Sequence, residues 1–231
     1  MPVPLLEIIY KDDQLVAINK PHGLLVHRSP IAKDVDVFAV QLLRNQLGTK
    51  VWPAHRLDRK TAGVLLFALD PETNTELHQL FAQRKVKKTY RAIVRGYTDD
   101  EGIINRELKN HESGEYQSAL TTYRTLARAE IPLPHGPHQT SRYSLMELEP
   151  HTGRRHQLRR HLAGIDHPII GDRPHGCNKQ NRLWKNTFGF THMLLHAAEL
   201  RLPHPVSREE LIIRAEEQDV FRRGREVLGM V

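Results

Sequence analysis

Residues 63–69, Gly63-Val64-Leu65-Leu66-Phe67-Ala68-Leu69, form an apolar run with no alternation. A strand on a half-solvated sheet alternates apolar and polar residues. A run apolar on both faces belongs instead to a central strand that is covered from either side. The chain must therefore build a sheet with material packed on both faces, and 231 residues are enough to bury such a core. The same run is far too short to cross a bilayer. Immediately before it lies residues 55–62, polar and irregular, so the most buried strand is fed by the most highly charged loop.

The pattern around this strand is mixed. Residues 5–10 alternate, Lys11-Asp12-Asp13 turns and residues 15–19 are apolar again, which predicts a β-hairpin. Residues 36–47 carry apolar side chains at helical spacing and stop at Gly48. Asp70-Pro71 reads as an N-cap followed by proline in the first turn, opening a helix to about residue 84 with Leu77, Leu80 and Phe81 on one stripe. Further strands are expected at 88–96, 121–127, 142–148, 193–202 and 211–214. Helices are expected at 154–163 and 218–228, and Pro132, Pro134, Gly136 and Pro137 mark a loop. No repeat and no linker-like shift in composition appears. The expected fold is α+β, with a mixed, largely antiparallel central sheet flanked by helices, and a single domain over 1–231.

Charge narrows the partner. Lys plus Arg total 34 against 27 Asp plus Glu, a net charge of +7. The distribution matters more than the sum. Arg84, Lys85, Lys87, Lys88, Arg91 and Arg95 follow one another without an acid. Residues 151–185 carry eight Lys or Arg against only Asp166 and Asp172, while acids collect at Glu209, Glu210, Glu216, Glu217 and Asp219. Two acid-poor stretches favour a surface that faces nucleic acid. The single cysteine, Cys177, excludes an internal disulfide or a multi-thiolate zinc site. His151, His156 and His161 recur every five residues, a spacing that splays them around a helix. His192 and His196 fall in a segment that reads as strand. No metal site is expected, and a cytoplasmic location is.

The loop His55-Arg56-Leu57-Asp58-Arg59-Lys60-Thr61-Ala62-Gly63 sets one carboxylate among three cations. Nearby positive charge favours the ionised form, which suits a nucleophile or a general base. Charge pattern alone leaves open a purely structural salt-bridge loop. By the same reasoning, a strand tyrosine such as Tyr90 is ordinarily a half-buried packing residue. On a helix from residue 154, Arg155 and Arg159 would share a face. Arg154, Arg155, Arg159 and Arg160 would then make a basic face available to phosphate.

These segments together resemble the RluA family of pseudouridine synthases. His55-Arg56-Leu57-Asp58 with Thr61-Ala62-Gly63 is similar to the family signature, although the family commonly has serine where this chain has Ala62. Asn19-Lys20-Pro21-His22-Gly23 with Val26-His27 resembles its N-terminal Lys-Pro-x-Gly motif, and 87–92 resembles its tyrosine motif. Residues 151–159 resemble its arginine motif. Pro168-Ile169-Ile170-Gly171-Asp172 and Leu195-His196-Ala197 fit later family segments. The motifs occur in family order across nearly the whole chain.

The resemblance implies isomerisation of a uridine in RNA to pseudouridine, without a cofactor. It implies that Asp58 is the essential carboxylate, that Tyr90 packs on the target base and that Arg159 pairs with Asp58. Arg56 is implied to fill the gap left by the departing nucleotide, and Leu195 to pack under the site. Together with the basic stretches, this makes Arg56, His55, Leu195, Arg155 and Lys88 the expected substrate contacts. Residues 24–29, 147–150, 159–162 and 169–176 resemble the branch of the family that acts on the T-stem region of tRNA. Ribosomal RNA is the alternative substrate, and an RNA-folding chaperone without turnover the alternative of a different class. No separate N-terminal RNA-binding module is expected.

Overall fold

The computed structural model describes residues 5–27 and 37–230. The chain begins with β1 (Ile8–Lys11), β2 (Leu15–Lys20), α1 (Ala39–Leu47), β3 (Trp52–Pro53), β4 (Ala62–Ala68) and α2 (Pro71–Ala82). It continues with β5 (Lys87–Arg95), β6 (Glu101–Asn105), β7 (Leu108–Lys109), β8 (Tyr116–Gln117), β9 (Leu120–Ile131) and β10 (Ser141–Pro150). The last third holds α3 (Gln157–Gly164), α4 (Asn178–Phe188), β11 (Leu195–Pro203), β12 (Glu210–Arg214) and α5 (Asp219–Val227). The architecture is α+β with a largely antiparallel sheet and flanking helices, as the pattern predicts. Contacts gather the chain into two compact units, Met1–Lys88 with Ala197–Glu216, and Thr89–His196 with Glu217–Val231.

In the first unit β1, β2 and β4 pair antiparallel in that order, and β3 adds to one end of β4. Every residue of β2 and of β4 is buried, which is what an apolar run without alternation requires. Leu15, Ala17, Val64 and Leu66 pack with Leu77 and Leu80 of α2 and with Leu200 and Ile213 of β11 and β12. Gly63 has φ +109, and a Cβ there would lie 2.1 Å from the Ala197 carbonyl oxygen, so only glycine fits where the Asp58 loop enters β4. Asp70 caps α2 by accepting from the Thr73 amide at 2.7 Å, and Pro71 occupies the first turn. Helix α1 ends at Gly48 in the left-handed region, as expected. Asp36, where the sequence pattern places its start, lies outside the described residues.

The second unit is a four-strand antiparallel array, β5–β10–β9–β6. Two helices and two strands depart from the sequence expectation. Helix α3 begins at Gln157 rather than near Arg154, because His156 sits at φ +56 and the Gln157 carboxamide holds the preceding turn. Its Oε1 accepts from the Thr152 hydroxyl at 2.6 Å and from the Arg154 amide at 3.1 Å. Helix α4 is absent from the sequence pattern: only Gln180 and Trp184 are buried along it, too thin a stripe to show there. Strand β6 is hidden for a similar reason, since Ile104 alone is buried. Strand β9 runs on to Ile131 opposite β10, and the proline- and glycine-marked loop follows it.

Candidate active site

In the first unit, Asp58 is half-buried on the loop between β3 and β4. Buried Leu57 anchors the loop, and the Thr61 amide closes it onto the Asp58 carbonyl at 3.0 Å. The turn after β2 clasps the same loop. The Gly23 amide donates to the Arg59 carbonyl at 2.8 Å, and Arg59 Nε returns a bond to the Gly23 carbonyl at 2.9 Å. His22 Nδ1 donates to the Lys60 carbonyl at 2.7 Å. Lys20, wholly buried, donates to the carbonyls of Pro21 and Leu24 at 2.9 Å each and to that of Arg59 at 3.3 Å. Burial pushes the Lys20 ammonium down to about 7, against the pull of the nearby Asp58 charge in the other direction. Two segments separated by more than thirty residues are thus one rigid support for a single carboxylate.

The remaining residues expected in this unit behave differently from one another. Arg56 is exposed beside Asp58. His55 is engaged by the protein itself: its Nε2 accepts from the Leu66 amide at 3.1 Å, and its ring lies 5.2 Å from that of Phe81. Burial first, and then the charge of Lys88, hold His55 down to about 3, so it is neutral at physiological pH. Lys88 is half-buried, and burial lowers it from the usual lysine range.

In the second unit, Tyr90 is half-buried on β5 opposite Leu148 of β10. It packs on a cluster that includes Leu148, Leu158, Met193 and Leu195, so the structure brings Tyr90 and Leu195 to one apolar surface. Arg159 of α3 is 5% exposed and forms a bidentate pair with Asp172, itself 1% exposed. Its Nε and Nη2 donate to the two carboxylate oxygens at 2.7 Å each. Such a fork fixes the plane of the guanidinium as well as its charge. Asp172 is held in turn: Asn181 donates to its carbonyl at 2.7 Å and accepts from the Gly171 amide at 2.8 Å. Gly171, at φ +80, lies so close to His192 that a Cβ would meet its carbonyl oxygen at 1.9 Å. His156 and His175 share a ring-nitrogen hydrogen bond at 2.9 Å beside this turn.

The expected basic face of α3 is corrected by this arrangement. Arg154 and Arg155 precede the helix, and Arg159 is buried in its ion pair. Arg154 Nε donates to the Ser118 carbonyl at 3.1 Å, and Arg160 Nη1 to the Lys109 carbonyl at 3.0 Å, so both hold the β7–β8 hairpin. Of the four, Arg155 alone is exposed. Sequence reasoning placed Lys20, Gln157 and Asp172 inside family-like motifs but gave none of them a part in building the site. Asp172 did leave a signal: it is the last acid before Glu199 in a strongly basic stretch, directly after a glycine.

Residues 14–164 match the family model described as RNA pseudouridylate synthase. This span exceeds half of the chain, and the chain belongs to that family, isomerases that convert uridine in RNA to pseudouridine. Among curated relatives, the tRNA pseudouridine synthase C of Vibrio parahaemolyticus is 46% identical over 228 residues, covering 94% of this chain and 93% of that protein. That of Salmonella typhi is 47% identical over 221 residues, covering 91% and 85%. Among solved structures, human RNA pseudouridylate synthase domain containing 4 aligns with a TM-score of 0.74 at 27% identity, covering 96% of this chain and 93% of that one. Human RNA pseudouridylate synthase domain containing 1 shares the fold with the same TM-score of 0.74 at 23% identity, over 94% and 86%.

Proposed function

We propose that this enzyme isomerises a uridine in the T-stem of tRNA to pseudouridine, with Asp58 as the catalytic carboxylate. The observation that carries the reading is the clasp around the Asp58 loop, where buried Lys20 and the two Gly23–Arg59 bonds fix one carboxylate at the mouth of a fully buried strand. The likeness to enzymes named for tRNA supports the substrate class.

The reaction breaks the bond between ribose C1′ and uracil N1, rotates the base and joins C1′ to C5. The C5 proton is lost and N1 gains one, so atoms and electrons balance without a donor or an oxidant. A base in a helical stem is out of reach until it leaves the stack, at a cost of a few kcal/mol. The flat ring of Tyr90 receives the flipped base, with Leu195 in the same apolar surface. Arg56 fills the vacated gap, and Arg155 and Lys88 meet phosphate. Arg159, its charge fixed by Asp172, holds the catalytic carboxylate ionised. Each of these roles follows the family resemblance. His55 acts from behind, by ordering the loop against β4. The two units are read as one catalytic domain working in the cytoplasm.

The test is chemical mapping of pseudouridine in unmodified tRNA and ribosomal RNA after incubation with the purified protein and no added cofactor. One new site in a tRNA T-stem is the expected result, and Asp58→Asn should abolish it while RNA affinity survives, because phosphate contacts dominate binding. A site in ribosomal RNA alone would overturn the substrate. Normal turnover by Asp58→Asn would overturn the assignment of the catalyst. RNA binding with no product would favour a folding chaperone, and free uracil a hydrolase.

A further inference from the structure

We infer that the exposed face of α4, with the turn that precedes it, binds backbone phosphates of the substrate RNA. This inference rests on the RNA-modifying reading above and names a surface that would hold the substrate.

The surface cations of the second unit fall into two groups. Most of those on the sheet and on α5 are matched by acids: Arg124 with Glu147, Arg128 with Asp100, Arg142 with Glu130, Arg222 with Asp219 and Arg225 with Glu217, whereas Arg223 of α5 lies over the Phe190 ring and Arg95 of β5 meets Cys177. Those at α4 are not matched. Arg173, Lys179, Arg182 and Lys185 are all exposed, and among the described residues none of them has an ion-pair partner. No acid occurs anywhere between Asp172 and Glu199, and Asp172 is itself consumed by Arg159.

The helix that carries these charges is firmly anchored from its other side. Trp184 stacks edge-on against Tyr143, Phe188 and Phe190, with ring centroids 5.3, 5.5 and 5.1 Å away. The Tyr143 hydroxyl donates to Gln180 at 2.9 Å, and Gly189 closes the C-terminus in the left-handed region. Arg173 and Lys185 border one shallow depression, together with Asn181 and Thr191. Lys179, Arg182 and Lys185 are spaced three residues apart, so neighbouring cations repel one another along the helix. Folding gains nothing from that arrangement, whereas a polyanion lying along it would relieve the repulsion and release its own counterions. The charges that the sequence suggested for α3 are therefore displaced in space onto α4, since those of α3 are spent on backbone carbonyls and on Asp172.

The experiment measures binding of unmodified tRNA across a salt gradient for the wild type, for Lys179→Gln/Arg182→Gln/Lys185→Gln and for Arg124→Gln/Arg142→Gln. Pseudouridine formation by the wild type on the same tRNA is followed in parallel. The slope of log affinity against log salt should fall by about 2–3 in the α4 variant, at ~0.7–0.9 for each phosphate that is no longer neutralised. Affinity near physiological salt should fall about tenfold or more. The variant lacking the matched arginines should keep the wild-type slope, and all three proteins should unfold at similar denaturant concentration. An unchanged slope in the α4 variant, with a wild type that turns over, would overturn the surface alone. A reduced slope with a wild type that forms no pseudouridine would sustain the surface and overturn the catalytic reading. Equal losses in both variants would show a general charge effect and overturn the assignment to α4.

Discussion

Each unit of this enzyme buries a cation, and the two are satisfied in opposite ways. Lys20 points into backbone carbonyls, and burial brings it down to about 7. Arg159 is forked onto a buried carboxylate. An ammonium held by backbone carbonyls can release its proton when desolvation outweighs the pull of a nearby carboxylate, whereas a guanidinium keeps its charge in any protein environment. The first arrangement suits a brace, whose task is to tie a turn to a loop. The second suits a position where the charge itself must persist and point in one direction.

This contrast can be broken by experiment. The largest effect is expected from Asp172→Asn, which leaves Arg159 buried without its counter-charge. It should cost about 3–5 kcal/mol in denaturant unfolding, and turnover should fall with it. A loss below about 1 kcal/mol would mean that Asp172 does not fix the guanidinium. Lys20→Met should cost at least about 2 kcal/mol, because buried carbonyls lose their donor. Its pH dependence sharpens the comparison. Between about 7 and 10.5 the unfolded lysine holds a proton that the folded one has released, so wild-type stability rises with pH there and the wild type should gain on the variant. Parallel pH profiles would show that Lys20 does not titrate in that window.

His55→Phe should cost about 1–2 kcal/mol near neutral pH, by stranding the buried Leu66 amide. Here the folded value, about 3, lies below the unfolded 6.5, so the stability contributed by the neutral ring is present above pH 6.5 and is lost as pH falls toward 3. The gap between wild type and variant should accordingly narrow in acid, and a constant gap would contradict a neutral His55. The smallest effect is expected from Arg142→Gln, an exposed pair with Glu130, at about 0.2–1 kcal/mol in the same unfolding assay.

Local chemistry made some elements legible and left others hidden. The unbroken apolar run became fully buried β4, and Asp70-Pro71 became the start of α2, since burial and capping act within a few residues. Asp58, Tyr90 and Arg159 stood out because their flanking residues are as particular as they are. Helix α4 did not, as its buried side consists of Gln180 and Trp184 and its remainder is polar. Nor did the start of α3, where Gln157 bonds to Thr152, Arg154 and Leu120 and overrides the helical spacing of the arginines.

The amino-acid order by itself determined the class of fold, the carboxylate at the head of the central strand and the attraction to a polyanion. All three depend on composition along a short stretch of chain. Tertiary structure alone decided which cations are spent and which remain available. That choice turns on partners distant in sequence: Asp172 for Arg159, the Ser118 carbonyl for Arg154, and, among the described residues, no acid for Lys179, Arg182 and Lys185. A charge is written in the chain, but its use depends on what the fold places within hydrogen-bonding distance of it.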